Sequence, residues 1–357
     1  MKKARIIIGA NYGDEGKGTV TAHYTKNSEG SVINVLTNGG SQRGHSILTK
    51  DGNITYQHFG SGTYYGADNY YSRFFILNPM QFVKEYNSLI VKPKNIYRDI
   101  RCLWTTPYDS MANLTTERMH NRKASCCMGI WNTIRRSREI SAPFDYFIDL
   151  DDEFKKEYLK LVKRFYEKEI LVPADLYDAW NGDILIDHFI NDCKFLYNHT
   201  QLTDLLYLDN YDNYIFENGQ GLLLSDKGVD TYDTTPSNTG IEYALRLMEG
   251  FPDLDVTAHY VTRPYLTRHG DGYLLRQDTM SNVSSDIKED RTNHSNEFQG
   301  DFRYGELDIE ELKKRIALDA GNVKYELDIT HCDEMDRMRE FRLHFTKINM
   351  YDSPLIR

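Results

Sequence analysis

The chain has 357 residues, 40% hydrophobic and 13% aromatic side chains, and a formal net charge of −10, which excludes a disordered chain and disfavours broad nucleic-acid binding through phosphates. Its five cysteines (Cys102, Cys126, Cys127, Cys193 and Cys332) are odd in number and lack paired CxxC spacing, which argues against a disulfide framework or structural zinc and for a reducing cytoplasm. No charged-then-apolar leader opens the chain and no apolar run approaches ~18 residues, so neither secretion nor membrane spanning is expected.

Ala4 to Gly9 is a short β-branched run ending in glycine, the pattern of a buried strand feeding a loop. A helix is predicted over Thr19 to Lys26, then a second buried strand over Ser31 to Leu36 ending at Asn38, Gly39 and Gly40. Strand, loop, helix, strand implies a mostly parallel α/β sheet flanked by helices, with a P-loop-like phosphate loop after the first strand. Further strand signals stand at Tyr71 to Leu77, Tyr214 to Glu217, Val256 to Thr262 and Lys324 to Ile329. Between them, 152–168 and 184–206 read as amphipathic helices, and Asp271 to Asp301 as a long polar loop. Composition never shifts enough to mark a linker, so the reading is one domain over 1–357 with a helical insertion around 140–210.

The chemistry concentrates in the first two loops. Gly9 to Thr19 holds Gly13, Asp14, Glu15, Gly16, Lys17 and Gly18 between a strand and a helix. Glycines let backbone N–H groups approach phosphate oxygens, a helix N-terminus favours the anion, and Lys17 adds a point charge. The loop departs from GxxxxGK[ST], because Asn11 stands at the first glycine position and Gly18 follows the lysine. Asp14 is unusual in such a loop, since a carboxylate beside phosphate is repelled unless it binds Mg²⁺ or takes a proton. The second loop, Asn38 to Ser46, places His45 at the same carboxyl edge of the sheet, where ligands collect in open α/β folds. Alone, His45 reads as a surface or satisfied histidine; beside Asp14 it reads as a catalyst.

These loops resemble the WGDEGKG and NAGHT elements of the adenylosuccinate synthetase family. Further similarity follows in order. His58 to Gly62 resembles HLIPSG, Phe216 to Gly221 resembles FEGAQG, and Thr235 to Thr239 resembles VTSSNT. Thr262 and Arg263 resemble the TRVG turn, Arg303 to Asp308 the RTGWLD segment, and Thr330 to Asp333 the TKLD base-recognition motif. The resemblance implies a ligase that uses GTP or ATP to join L-aspartate to the 6-position of a purine nucleoside monophosphate through a 6-phosphoryl intermediate. It implies Asp14, His45 and Lys17 as catalytic residues, Mg²⁺ at Asp14 and the Gly44 carbonyl, and a homodimer. Gly13, Glu15, Gly16, Lys17, Gly18, Thr19, Gly44 and Asp333 would bind the nucleoside triphosphate. Asp14, Gln42, Ser125, Cys126, Arg136, Gln220 and Thr235 would bind the monophosphate, and Thr292, Asn293 and Arg303 the aspartate.

Several motifs depart from the family pattern. Ser125 to Trp131 stands for TTGRGIGP, so Ser125 or Cys126 replaces a threonine. Arg135, Arg136 and Arg138 lie where the family presents an arginine to the partner subunit's ligand. Thr292 to Gly300 lacks the family's arginines, His331 replaces lysine, and Ser353 to Arg357 is a reduced SxGPxR signature. Asp333 suits the two donors of guanine, which favours GTP and leaves ATP open. The departures and the short chain resemble the bacteriophage branch, which converts dGMP to N6-succino-2-amino-2'-deoxyadenylate. Members with dGMP specificity tend to carry serine where Asp14 stands, which points instead to IMP. Gln42, Arg43 and the Cys126–Cys127 segment tilt the expectation to dGMP, with IMP the alternative.

Overall fold

The computed structural model describes residues 2–123, 125–226, 234–251, 253–288, 290 and 298–353. Nine strands form one parallel sheet. Its order is Ile348–Met350, Tyr325–Ile329, Leu254–Thr262, Lys2–Gly9, Asn213–Gly221, Val32–Leu36, Asp68–Tyr71, Ile96–Arg98 and Gln201–Leu202. Ile6, Ile7 and Ile8 of the central strand are all fully buried, because helices cover both faces of a parallel sheet and leave no polar side. On one face Ile6 and Ile8 share a core with Leu312 and Ile316 of the helix Ile309–Ala320. On the other, Ile7 meets Val20 of the helix Lys17–Lys26.

The expected central strands form where the β-branched runs place them, but the flanks differ. The single strand expected over Tyr71 to Leu77 is two, Asp68–Tyr71 and Ile76–Leu77. Ser72 breaks it, its hydroxyl donating to the Thr37 carbonyl at 2.7 Å in a turn. The helix expected over 184–206 runs Asp183–Asn198. His199 ends it with its ring nitrogen 2.7 Å from the Phe195 carbonyl, and Gln201–Leu202 then joins the sheet edge. The helix Asp152–Glu167 forms within a residue of expectation, capped by Asp151, which accepts from the Phe154 N–H. In the 140–210 segment Phe144, Phe147, Leu159, Val162 and Phe189 enter a core shared with Phe82 and Trp104 from outside it. The long polar segment after Leu266–His269 contributes Gln277–Asp278 and Phe302–Gly305 to a small antiparallel sheet.

Because five neighbouring strands run parallel, their carboxyl ends bring five loops to one edge: those after Gly9, Leu36, Gly221, Thr262 and Ile329. Among the described residues no helix is long and apolar enough to cross a membrane.

Candidate active site

The first loop is held by its own charges. Glu15, almost fully buried, accepts from the N–H groups of Asn11 and Gly13 at 2.8 Å each, and its other oxygen lies 3.4 Å from Lys17 Nζ. Lys17 Nζ also donates to the Gly13 carbonyl at 2.5 Å. Gly16 adopts a left-handed φ of 89°, which a side chain would strain, and so turns the chain into the helix that begins at Lys17. Glu15 therefore shapes the phosphate loop from within, a role its neighbours in sequence do not reveal.

Asp14 points the other way. Its carboxylate lies 3.5 Å from His269 Nδ1, and Arg263 Nε donates to its backbone carbonyl at 2.7 Å. Desolvation pushes the Asp14 carboxyl up, but hydrogen bonding and charge from His269, with Arg263 and Lys17, outweigh it and hold the group below the ordinary carboxylate range. Asp14 is thus an ionised base. Arg263 is fixed in turn by Asp290 at 2.6 Å and Tyr265 at 3.2 Å.

His45 is set by a buried network. Its Nδ1 lies 2.8 Å from Glu217 Oε1 and 3.0 Å from Arg43 Nη2; the carboxylate only accepts and the guanidinium only donates, and we assign the proton to Nδ1 on the shorter contact, the guanidinium being held by Glu217 itself. Ser61 donates twice to Glu217, from its N–H at 3.0 Å and its hydroxyl at 2.5 Å, and Arg43 Nη2 lies 3.1 Å from Glu217 Oε2. Burial, reinforced by the Arg43 and Lys17 charges, pulls the imidazole down to about 4 despite Glu217. Burial pushes Glu217 up, yet His45, Arg43 and Ser61 bring it to about 2. A neutral His45 cannot be Glu217's counter-charge; the Arg43 guanidinium is, so the state we assign is anionic Glu217 beside neutral His45.

The two loops meet through Gly18. A Cβ there would sit 2.6 Å from the Ser46 carbonyl oxygen and 3.1 Å from the His45 carbonyl carbon, so only glycine lets the second loop lie against the first turn of the helix. This is the physical reason that a glycine, not a threonine or serine, follows the lysine. Gly13, Asp14, Gly16, Lys17, Gly18, Thr19, Gly44, His45, Ser46, Arg263 and His331 line one cavity.

The family model described as adenylosuccinate synthetase matches residues 6–346. The chain belongs to the adenylosuccinate synthetase family. The adenylosuccinate synthetase of Blochmanniella pennsylvanica is 24% identical over 364 residues, spanning 96% of this chain and 80% of that protein. That of Wigglesworthia glossinidia brevipalpis is 26% identical over 304 residues, spanning 76% of this chain but only 64% of the relative. Among solved structures, fully ligated adenylosuccinate synthetase from Plasmodium falciparum aligns with a TM-score of 0.70 at 17% identity, over 95% of this chain and 78% of that one. Cyanophage S-2L succinoaminodeoxyadenylate synthetase, bound to dGMP and dATP, aligns with a TM-score of 0.63 at 12% identity, over 99% and 91%. Both share the fold.

As a member of this family, the chain places its other expected site residues unevenly. Gln42 and Gln220 converge on Gly39: a Cβ on Gly39 would lie 3.0 Å from Gln42 Nε2 and 3.4 Å from Gln220 Oε1. Both amide ends of Gln42 and the Gln220 oxygen are buried without a partner among the described residues, an arrangement that a polar ligand would satisfy. Ser125 Oγ donates to Asn113 Oδ1 at 3.0 Å and caps the Cys127 N–H at 3.1 Å, and burial pushes the Cys126 thiol up to about 11. Thr235 is anchored by its N–H to the Leu224 carbonyl at 2.7 Å. Asp333 accepts from Ser353 and Lys288. Arg303 holds the Gly272 carbonyl at 2.9 Å and Gln277 at 2.8 Å, and its buried Nε has no partner among the described residues. Thr292 and Asn293 lie outside the described residues.

Arg136 requires a correction. It is buried, and its guanidinium grips Asp109 through Nε at 2.8 Å and Nη2 at 3.0 Å while also donating to the Trp104 carbonyl at 2.8 Å. A group so engaged inside its own subunit is not free for a monophosphate. Arg138 is exposed on the same helix end. The sequence does not single out Glu217, Arg263 or His269 as site residues; Glu217 and Arg263 lie within quoted motifs, but Glu217's aim at His45 depends on the pairing of Asn213–Gly221 with Val32–Leu36.

Mg²⁺ fits this donor set. Among the described residues no group of three or more His, Cys, Asp or Glu could hold a metal by themselves. One ionised carboxylate, Asp14, beside the Gly44 backbone suits a hard cation that keeps most of its shell as phosphate oxygens and water.

Proposed function

We propose that this chain condenses L-aspartate with the 6-oxo carbon of a purine nucleoside monophosphate, driven by a nucleoside triphosphate, with release of nucleoside diphosphate and phosphate. The observation that carries this reading is that Asp14, Lys17 and His45 line one cavity at the carboxyl edge of the sheet. Asp14, held ionised, takes the N1 proton of the purine, so that O6 becomes the nucleophile toward the γ-phosphate. Lys17 and the backbone N–H groups of the glycine loop bind the transferring phosphoryl oxygens. With Nδ1 donating to Glu217, the neutral imidazole presents a lone pair at Nε2. It becomes a donor only on gaining a proton, which an anionic phosphoryl group beside it promotes. The aspartate amine then displaces phosphate from C6, a far better leaving group than hydroxide. Mg²⁺, held by Asp14 and the Gly44 carbonyl, would neutralise charge on the triphosphate.

For the acceptor we infer dGMP, giving N6-succino-2-amino-2'-deoxyadenylate. Its support is the Gln42 amide, without a partner among the described residues, where the family carries asparagine, the altered Ser125–Cys126 segment, and the fold shared with a cyanophage enzyme bound to dGMP. IMP is the second reading, favoured by the bacterial relatives and by Asp14 itself. A homodimer with Arg138 reaching the neighbouring site belongs to the same proposal, as does a single domain over the whole chain.

The test supplies aspartate and Mg²⁺ with IMP, dIMP, GMP or dGMP and follows phosphate release. Turnover with dGMP above the others is expected. Preference for IMP overturns the acceptor assignment alone, and no aspartate-dependent turnover with any of them overturns the ligase reading.

A further inference from the structure

The donor base site carries a contact that the family motif does not foretell. Thr330 Oγ1 donates to the Glu15 carbonyl at 2.6 Å and His331 lines the phosphate cavity, so the Thr330–Asp333 turn is tied directly to the phosphate loop. Asp333 follows His331 by two residues, in the motif whose resemblance assigns it to the donor base. Its carboxylate is already crowded. Oδ1 accepts from the Ser353 N–H at 2.6 Å, and Oδ2 from the Ser353 hydroxyl at 2.7 Å and from Lys288 Nζ at 2.9 Å.

A carboxylate offers about four acceptor positions. With three taken among the described residues, and the backbone of Asp333 itself directed at the same carboxylate, at most one remains. Guanine brings two adjacent donors to such a group, N1–H and N2–H, whereas adenine brings one, N6–H, next to an acceptor at N1. The Lys288 ammonium, about half exposed at 49%, keeps N–H donors beyond the one that meets Asp333, and its charge removes the repulsion a bare carboxylate would exert on adenine N1.

We propose that Lys288 is a specificity-determining residue for the phosphoryl donor: by occupying Asp333 it selects an adenine nucleotide and disfavours a guanine one. This rests on the ligase reading for its reaction, but not for its binding. It also reverses the preference for GTP that Asp333 suggests from sequence alone. The cyanophage enzyme of the same fold is described with dATP as energy donor, which agrees with the assignment.

The experiment measures ADP and GDP binding by titration calorimetry, and kcat/KM with ATP and GTP, for the full chain and for Lys288→Ala and Lys288→Met. The wild type is expected to favour adenine by tenfold or more, and both variants to move the ratio at least tenfold toward guanine. A wild type that binds GDP more tightly than ADP overturns the proposal, as does a ratio unmoved by either variant. If no monophosphate supports turnover, the ligase reading fails while the ADP-to-GDP ratio still decides the role of Lys288.

Discussion

Glu217, on the sheet strand Asn213–Gly221, and His45, at the start of the antiparallel hairpin strand His45–Thr49, meet at 2.8 Å, with Ser61 and Arg43 also holding the carboxylate. The imidazole is therefore oriented by a group buried beneath it, in the manner that a carboxylate fixes the tautomer of a catalytic histidine. Glu217→Gln weakens that orientation. It is expected to lower kcat by about 10²-fold with little change in KM. An unchanged kcat would show that Glu217 only fills the core.

Gly18→Ala tests the meeting of the two loops. The new Cβ would press on the Ser46 and His45 backbone at 2.6–3.1 Å, and backbone cannot rotate away as a side chain can. Stability should fall by about 1–3 kcal/mol. Activity should fall by roughly 10²-fold, because a shift near 1 Å at a reacting group is that costly. Denaturant melts beside steady-state rates measure both, and an active Gly18→Ala enzyme would refute the close approach.

Much of this was legible in the chain, and what was not has identifiable causes. The strands that carry the site are continuous runs such as Ile6 to Ile8, whose burial on both faces leaves an unmistakable apolar signature. The edge strands Ile96–Arg98 and Gln201–Leu202 are short and mixed, so nothing in their composition separates them from loop. Asp14 stands out because a carboxylate is anomalous in a phosphate loop, Lys17 because a lysine is the expected cation there, and His45 because its loop follows the next strand to the same sheet edge. Glu217 and Arg136 were not, since whether a buried charge faces a ligand or a neighbour such as Asp109 is decided by tertiary pairing alone.

Buried histidines govern the acid limb of stability. Burial holds His45 at about 4 and His58 at about 3, and His331 falls well below the ordinary imidazole value. His58 shows why: its Nε2 accepts the Asn78 N–H at 2.9 Å, a bond that a protonated ring cannot make. The unfolded chain binds these protons near pH 6.5 and the folded chain does not, so stability is full above about 6.5 and declines as pH falls toward 4. Each such histidine contributes a slope of about 1.4 kcal/mol per pH unit in that window. Tm measured from pH 7.5 to 4.5 should drop steeply below 6.5, and a flat profile would contradict neutral burial.

The arginines at the end of Ile130–Ser137 should separate cleanly. Arg136→Met leaves Asp109 buried without its counter-charge and should cost about 3–5 kcal/mol. Arg138→Ala removes an exposed side chain and should stay within about 0.5 kcal/mol. Only Arg138→Ala should lower turnover without lowering Tm, and a variant that is fully active would remove Arg138 from the neighbouring site.

In the proposed reaction the purine O6 attacks the γ-phosphate in the cavity shared by Asp14 and His45. Running the reaction on a monophosphate labelled with ¹⁸O at C6, with aspartate present, and taking the mass spectrum of the released phosphate reads this step directly. The label is expected in the inorganic phosphate, one atom per turnover; its appearance in water, with unlabelled phosphate, would contradict the mechanism.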